Sequence, residues 1–119
     1  MKGKIFLHSV SAALLIFLIA ACAGGFRVNQ VQFGISAAQA DLWEEAIFRW
    51  KKVISTEPNN ASAHNNLAVA FEKKGMMKEA EIEYKVASEL APKNRYIQSN
   101  FDNFKKRAEV KEEENNEKK

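Results

Sequence analysis

Cysteine and histidine are scarce in this chain of 119 residues. Cys22 is the single cysteine, so no disulfide can form within the chain and no cluster of cysteines can hold a metal. There is no glycine-rich phosphate loop, and neighbouring acids such as Glu81 and Glu83 lie two residues apart, which keeps them from facing each other on a helix. The sequence therefore predicts no catalytic residues, no metal site, no cofactor and no enzyme.

Net charge is also low. The chain has 18 basic and 15 acidic side chains, and removal of Lys2 and Lys4 with an N-terminal signal would leave a net charge near +1. The basic cluster at 105–107 is followed at once by acidic residues at 109 and 112–114. This mixture is typical of a solvated helix face, and it predicts no nucleic-acid partner.

The N-terminus differs in composition from the rest of the chain. Lys2 and Lys4 precede an uncharged run over residues 5–21 that is rich in Leu, Ile, Phe and Ala. A positive start followed by an apolar stretch is the pattern of a secretory signal. The run has 17 residues, whereas a membrane-spanning helix needs about 20 apolar residues. A retained transmembrane anchor is therefore the second interpretation of this run.

The run ends in Leu18, Ile19, Ala20, Ala21 and Cys22. This segment resembles the lipobox of bacterial lipoproteins. The resemblance implies a signal peptide over residues 1–21, acylation of Cys22 and a short lipidated linker over 22–26. By the same resemblance, Ala23 in place of Asp implies a location at the outer membrane in a cell that has one. In a cell without an outer membrane, the resemblance implies the outer face of the cell membrane. The alternative is an ordinary signal cleaved near Ala23 or Ala40.

An internal repeat with a period of 34 residues follows. Its matching positions are Phe33 and Leu67, Gly34 and Ala68, Ala46 and Ala80, Phe48 and Ile82, Trp50 and Tyr84, Val53 and Ala87, Pro58 and Pro92, and Asn60 and Asn94. The units are residues 27–60 and 61–94. The second unit resembles the tetratricopeptide (TPR) repeat through Leu67, Ala68, Phe71, Gly75, Ala80, Tyr84, Ala87 and Pro92.

The resemblance implies an all-α helical solenoid over residues 27–110, with two helix pairs and a capping helix at 95–110. Local signals agree, because Asn60 and Asn94 are suited to N-caps, Gly75 to a helix end, and Asp41 with Glu44 to a capping box. The small side chains at Gly34 and Ala68 predict close approach of paired helices.

The third unit is only half a repeat. Asp102 stands where Gly34 and Ala68 stand earlier, and a charge there predicts that no further helix follows. Residues 111–119 contain no apolar side chain and are predicted to be disordered. His64 is predicted to be a packing or capping residue.

In a TPR solenoid the first helix of each pair lines a concave groove. The family's inward positions imply a groove with an apolar and an amide-rich end, formed by Val28, Val31, Ile35, Asn65, Asn66, Val69, Tyr96, Asn100 and Asn103. A second, convex contact patch is predicted from Phe48, Ile82 and Val86.

The function that follows is binding. The resemblance implies a protein–protein interaction module, anchored to the membrane through Cys22, that serves as an adaptor or assembly factor at the bacterial envelope. The alternative is a structural subunit built into a larger envelope complex, such as pilus, secretion or cell-wall machinery. The expected partner is a protein or a peptide segment, and a homo-oligomer is also open.

Overall fold

The computed structural model describes residues 29–117, and all regular structure in that range is helical. The predicted signal peptide, Cys22, the 22–26 linker and Val28 lie outside the described residues. The helices are α1 (Asn29–Gln39), α2 (Trp43–Thr56), α3 (Ala61–Lys73), α4 (Met77–Leu90) and α5 (Arg95–Glu117). The prediction of an all-α fold is confirmed. None of these five helices has the length and apolar character needed to cross a bilayer.

Three predicted helix ends are confirmed. The Asn60 side chain accepts a hydrogen bond from the backbone N–H of Ala63 at 2.9 Å and begins α3. The Asn94 side chain accepts from the N–H groups of Tyr96 and Ile97 at 3.1 and 3.3 Å and begins α5. Gly75 follows α3 with a φ of 75°, a conformation that costs glycine little.

The predicted capping box at Asp41 is wrong. Leu42 occupies the N-cap of α2 and makes no side-chain capping bond. Asp41 instead has a φ of 57° and terminates α1, one repeat length before Gly75. Aspartate is one of the few residues that tolerate this conformation, which explains why both turns can close in the same way.

Each helix packs against the next one along the chain, and α5 also reaches back to α3. The core forms at equivalent positions of the two repeats, where Ala46 matches Ala80 and Trp50 matches Tyr84. Gly34 lies directly against the Trp50 indole, since a Cβ at that position would come within 2.6 Å of Nε1. The predicted close approach of paired helices at Gly34 is therefore confirmed, and Ala68 is fully buried at the matching position.

His64 has the predicted packing role. Its ring is buried, with Nδ1 2.6 Å from Glu83 Oε2 and Nε2 2.8 Å from the carbonyl oxygen of Pro58. Both partner atoms are acceptors, so both contacts are hydrogen bonds only when the ring carries a proton on each nitrogen. In the first repeat the equivalent positions hold Gln30 and Arg49, whose Nη1 donates to Gln30 Oε1 at 3.1 Å.

Because these positions are equivalent, we expect the Gln30–Arg49 pair of the first repeat to be able to replace the His64–Glu83 pair of the second. His64→Gln is expected to lower the free energy of unfolding by about 2 kcal/mol, because a partly buried carboxylate and a carbonyl lose their partner. Adding Glu83→Arg should recover part of this loss by recreating the pair of the first repeat. Urea unfolding of the single and double variants measures the coupling. Simple additivity of the two single effects would contradict the prediction.

Helix α5 is longer than the sequence predicts. It continues to Glu117, so the prediction of disorder over residues 111–119 is wrong for residues 111–117, and residues 118–119 lie outside the described residues. The segment is rich in Glu and Lys, which favour helix, and it extends a helix whose first half is already docked. Ile97 and Phe104 are buried in that first half, while residues 109–117 are exposed.

Asp102 faces solvent, as its charge requires, and pairs with Lys105 at 2.9 Å. The hydrogen bond and the charge of Lys105 lower the pKa of the Asp102 carboxyl. The carboxyl is therefore ionised near neutral pH, and this charge stands where the earlier repeats place a glycine or an alanine against a neighbouring helix.

Candidate protein-binding groove

An open, mainly apolar depression of about 280 Å³ lies among α1, α3 and α5, with α2 also contributing to it. The first helix of a repeat supplies one wall and the first helix of the next supplies the opposite wall, so the site exists only because the repeats stack. Its lining residues are Ile35, Ala38, Gln39, Trp43, Trp50, Asn66, Val69 and Tyr96.

Four of the nine predicted groove residues meet in this depression: Ile35, Asn66, Val69 and Tyr96. Tyr96 is largely exposed, and the side chains of Asn66 and Val69 are half-buried. Val31 is exposed on α1 but does not line the depression.

The predicted amide-rich end is corrected at Asn65. This side chain is only 1% exposed, so it is not available to a partner. Its Oδ1 accepts from Asn100 Nδ2 at 3.0 Å, and its Nδ2 donates to Asn66 Oδ1 at 3.4 Å. The pair of Asn65 and Asn100 links α3 to α5 across 35 positions in sequence and acts within the fold.

Asn103 also differs from the expectation. It is exposed on α5 and its Nδ2 lies 3.5 Å from Ser99 Oγ on the same helix. It does not line the depression. Of the four predicted amides, only Asn66 therefore remains as a polar group in the wall.

Sequence reasoning missed the contribution of α2 and of the end of α1. Trp43 and Trp50 both line the depression, as do Ala38 and Gln39. The family pattern assigns inward positions only to the first helix of each pair, so it does not point to an aromatic residue at the start of a second helix. Trp43, an unusually large side chain at a helix start, was the available signal.

A lysine lies at the rim. The Nζ of Lys73 is 5.9 Å from the centroid of the Trp43 ring, a distance suited to a cation–π contact. Glu72, the neighbouring acid, is already engaged. Its carboxylate accepts from Arg107 Nε and Nη2 at 2.8 and 3.1 Å and from the Tyr84 hydroxyl at 3.0 Å. The groove therefore offers apolar contact, the two side-chain amides of Gln39 and Asn66, and one nearby cation.

The residues predicted as a convex patch separate into two environments. Phe48 is exposed beside Arg49, whose guanidinium lies 5.5 Å from the Phe48 ring centroid and 5.3 Å from that of Phe33. Ile82 is exposed on α4, where Val86 is half-buried one turn later. Within residues 29–117, no group of three or more His, Cys, Asp or Glu side chains is arranged to hold a metal ion.

Comparison with known families gives one finding. Residues 42–75 match the model of the TPR repeat, and this stretch contains the whole of α2 and α3. A comparison with curated proteins gave no match. Together with the five consecutive helices, the matched repeat shows that residues 29–117 adopt an all-α, TPR-type helical fold, which is typical of protein–protein interaction modules.

Proposed function

We propose that this protein is a lipid-anchored interaction module at the bacterial envelope, whose concave groove binds a segment of another protein. The observation that carries the proposal is the open apolar depression bordered by α1, α3 and α5. Contiguous exposed apolar surface on a soluble domain is typical of an interaction site.

The groove suits an anchoring side chain of a partner. Its volume of about 280 Å³ is near the lower limit of small-molecule sites, which span about 300–1,000 Å³. Trp43 and Tyr96 offer aromatic surface to an aliphatic or aromatic side chain. The half-buried amide of Asn66 both donates and accepts, so it can hydrogen-bond the backbone of an extended or helical segment.

The anchor rests on the resemblance of residues 18–22 to a lipobox. An acylated Cys22 carrying two or more chains would hold the protein firmly, since a single acyl chain gives only marginal membrane binding. Six residues separate Cys22 from Asn29, and at about 3.3–3.6 Å per residue they span roughly 25 Å at most. The groove would therefore work close to the membrane surface, with the outer membrane favoured in a diderm cell.

A structural subunit of a larger envelope complex is the second candidate. The observation in its favour is the number of large apolar side chains that are exposed in residues 29–117, among them Phe33, Leu42 and Phe48. A subunit of this kind should be poorly soluble when it is produced without its complex. An adaptor should be folded and soluble by itself, apart from the acyl group.

The groove is tested by site-specific crosslinking in cells. A photoreactive phenylalanine analogue placed at Tyr96 of the full-length chain is expected to form a discrete adduct with the partner. Adding Val69→Asp should reduce this adduct at least about tenfold, because a partner side chain would bury an unpaired carboxylate. Asn103→Ala, outside the depression, is the matched control. Equal adducts in all three backgrounds would place the binding site elsewhere.

The anchor is tested separately. Cys22→Ala is expected to abolish incorporation of labelled palmitate and to shift the protein from the membrane to the soluble fraction. Circular dichroism of the variant should match that of the wild type, since residue 22 precedes the helical repeats. A wild-type chain that takes no label, together with a variant that stays in the membrane fraction, would favour the retained transmembrane segment.

A further inference from the structure

Helix α4 has a second apolar side that faces away from the core. Its buried side consists of Ala80, Tyr84 and Ala87. On the other side, Ile82 is 61% exposed, Leu90 is 38% exposed and Val86 between them is half-buried. Residues spaced four apart lie on one face of a helix, so the three form a continuous outer stripe of α4.

The TPR-type fold does not require this stripe. The equivalent positions of α2, one repeat length earlier, are Phe48, Lys52 and Thr56. Two of these three are polar, although α2 packs in its repeat as α4 does in the next. The apolar residues at Val86 and Leu90 are therefore particular to α4 and call for an explanation other than the core.

The charges at the two ends of the stripe have opposite signs. Glu79 lies three residues before Ile82, and Lys93 lies three residues after Leu90. Both side chains are exposed, and neither forms an ion pair within 4 Å among the described residues. Glu79 lies in the first turn of α4, whereas Lys93 lies in the turn that follows the last helical residue, Leu90. Counted along the sequence from Val86, the acid, the two large apolar residues and the base stand at −7, −4, +4 and +7, so their order is symmetric about Val86.

We propose that the outer stripe of α4 pairs with the same stripe of a second copy, antiparallel and around a two-fold axis at Val86. In this arrangement Ile82 of each copy meets Leu90 of the other. Glu79 of each copy then lies at the end of the interface that carries Lys93 of the other copy, and both symmetry-related charge pairs are attractive. A parallel pair would place the two Glu79 side chains together and the two Lys93 side chains together, which like-charge repulsion disfavours.

The interface is small, because the stripe covers only about three turns of helix. Dimerisation would therefore be weak in dilute solution and stronger when both copies are confined to one membrane, where the effective concentration is high. The outer stripe shares no residue with the depression among α1, α3 and α5. A dimer would consequently leave both grooves free and could bind a partner at two points.

Crosslinking at the axis tests the geometry in the full-length chain. Val86→Cys brings two identical thiols together only if the axis passes near residue 86, so a short bismaleimide should give a covalent dimer in cells. Lys52→Cys, the repeat-equivalent position on α2, is the matched control. The wild type, which contains only Cys22, sets the background.

Charge exchange tests the register. In the Val86→Cys background, Glu79→Lys is expected to reduce the covalent dimer roughly tenfold, because both symmetry-related contacts become repulsive. Glu79→Lys with Lys93→Glu should restore it. All variants should keep the helical content of the wild type. Three results would each overturn the proposal. The first is a yield of covalent dimer from Val86→Cys no higher than that from Lys52→Cys. The others are no recovery of the dimer in the charge-exchanged variant, and an adduct with a different protein instead of a dimer.

Discussion

Replacing Tyr84 with alanine is expected to lower the free energy of unfolding by about 4 kcal/mol. Tyr84 is almost completely buried, and its ring lies 5.2 Å from that of Phe104 and 6.2 Å from that of Phe101, centroid to centroid. These aromatic contacts attach α5 to α4. Because small domains are stable by only about 5–15 kcal/mol, this loss would leave the helical domain close to unfolding.

Tyr84→Phe is the control for the hydroxyl. It keeps the aromatic contacts and removes only the hydrogen bond to Glu72, which remains bound to Arg107. The expected loss is about 1 kcal/mol. Urea unfolding followed by far-UV circular dichroism measures both variants. A Tyr84→Phe variant as unstable as Tyr84→Ala would show that the hydroxyl, and not the ring packing, dominates.

The same side chain predicts a dependence on alkaline pH. Burial, and then the nearby Glu72 carboxylate, raise the pKa of the Tyr84 phenol above its ordinary value of 10.0. The unfolded chain therefore loses this proton at a lower pH than the folded protein. The corresponding stability is complete below pH 10 and falls as the pH rises further. The fall should be smaller in Tyr84→Phe than in the wild type, and equal slopes would contradict the assignment.

The Gly34→Ala variant is expected to be less stable than the wild type by about 2 kcal/mol. At an ordinary helical position the same change stabilises, by up to about 1 kcal/mol, because alanine favours helix more than glycine. Here the new Cβ would lie 2.6 Å from Trp50 Nε1 and 2.8 Å from Cε2. Trp50 is almost completely buried, so its ring has little room to shift and α1 would have to move away from α2.

A double-mutant cycle identifies the cause. Trp50→Phe shortens the ring that faces Gly34, so the cost of Gly34→Ala should shrink in that background, although Trp50→Phe is itself destabilising. Ser36→Ala, at an exposed position of the same helix, is the control and should change stability by less than about 0.5 kcal/mol. A Gly34→Ala variant more stable than the wild type would disprove the close contact.

Trp50 Nε1 is buried without a hydrogen-bond partner in the described part of the chain. The indole is consequently held by packing alone, between Gly34 and the groove. Since Trp50 also lines the depression, Gly34→Ala is expected to change the shape of the groove as well as the stability of the fold. The photocrosslinking assay at Tyr96 gives an independent measurement of this effect.

The predictions that the structure confirms rest mostly on local signals in the sequence. Asn60 and Asn94 cap helices within three residues of themselves, and Gly75 allows a positive φ at its own position. The 34-residue repeat also predicted structure correctly over a longer stretch, because the helices of one repeat predict those of the next. Asp41 shows the limit of local reasoning, since an acid followed by Glu44 also suits a turn with positive φ, as observed.

How far a side chain is exposed to solvent depended instead on which helices lie next to its own helix. Phe33 is 45% exposed, whereas Leu67 at the equivalent position is 2% exposed. The difference arises because α3 packs against α2 of the preceding repeat, and α1 has no such helix before it among the described residues. The repeat pattern predicts the same burial for Phe33 and Leu67. Their burial differs because their helices occupy different places in the stack.

Sequence alone determined that this chain forms helices, where several of them begin and end, and which small residues permit close packing, because these properties depend on short stretches of chain and on a regular period. Tertiary structure decided which polar groups remain for a partner. Asn65 bonds to Asn100 and Glu72 to Arg107, both across 35 positions, and Trp43 joins the groove from a helix that the pattern did not assign to it. Contacts of this kind depend on how whole helices stack, and no local pattern encodes that arrangement.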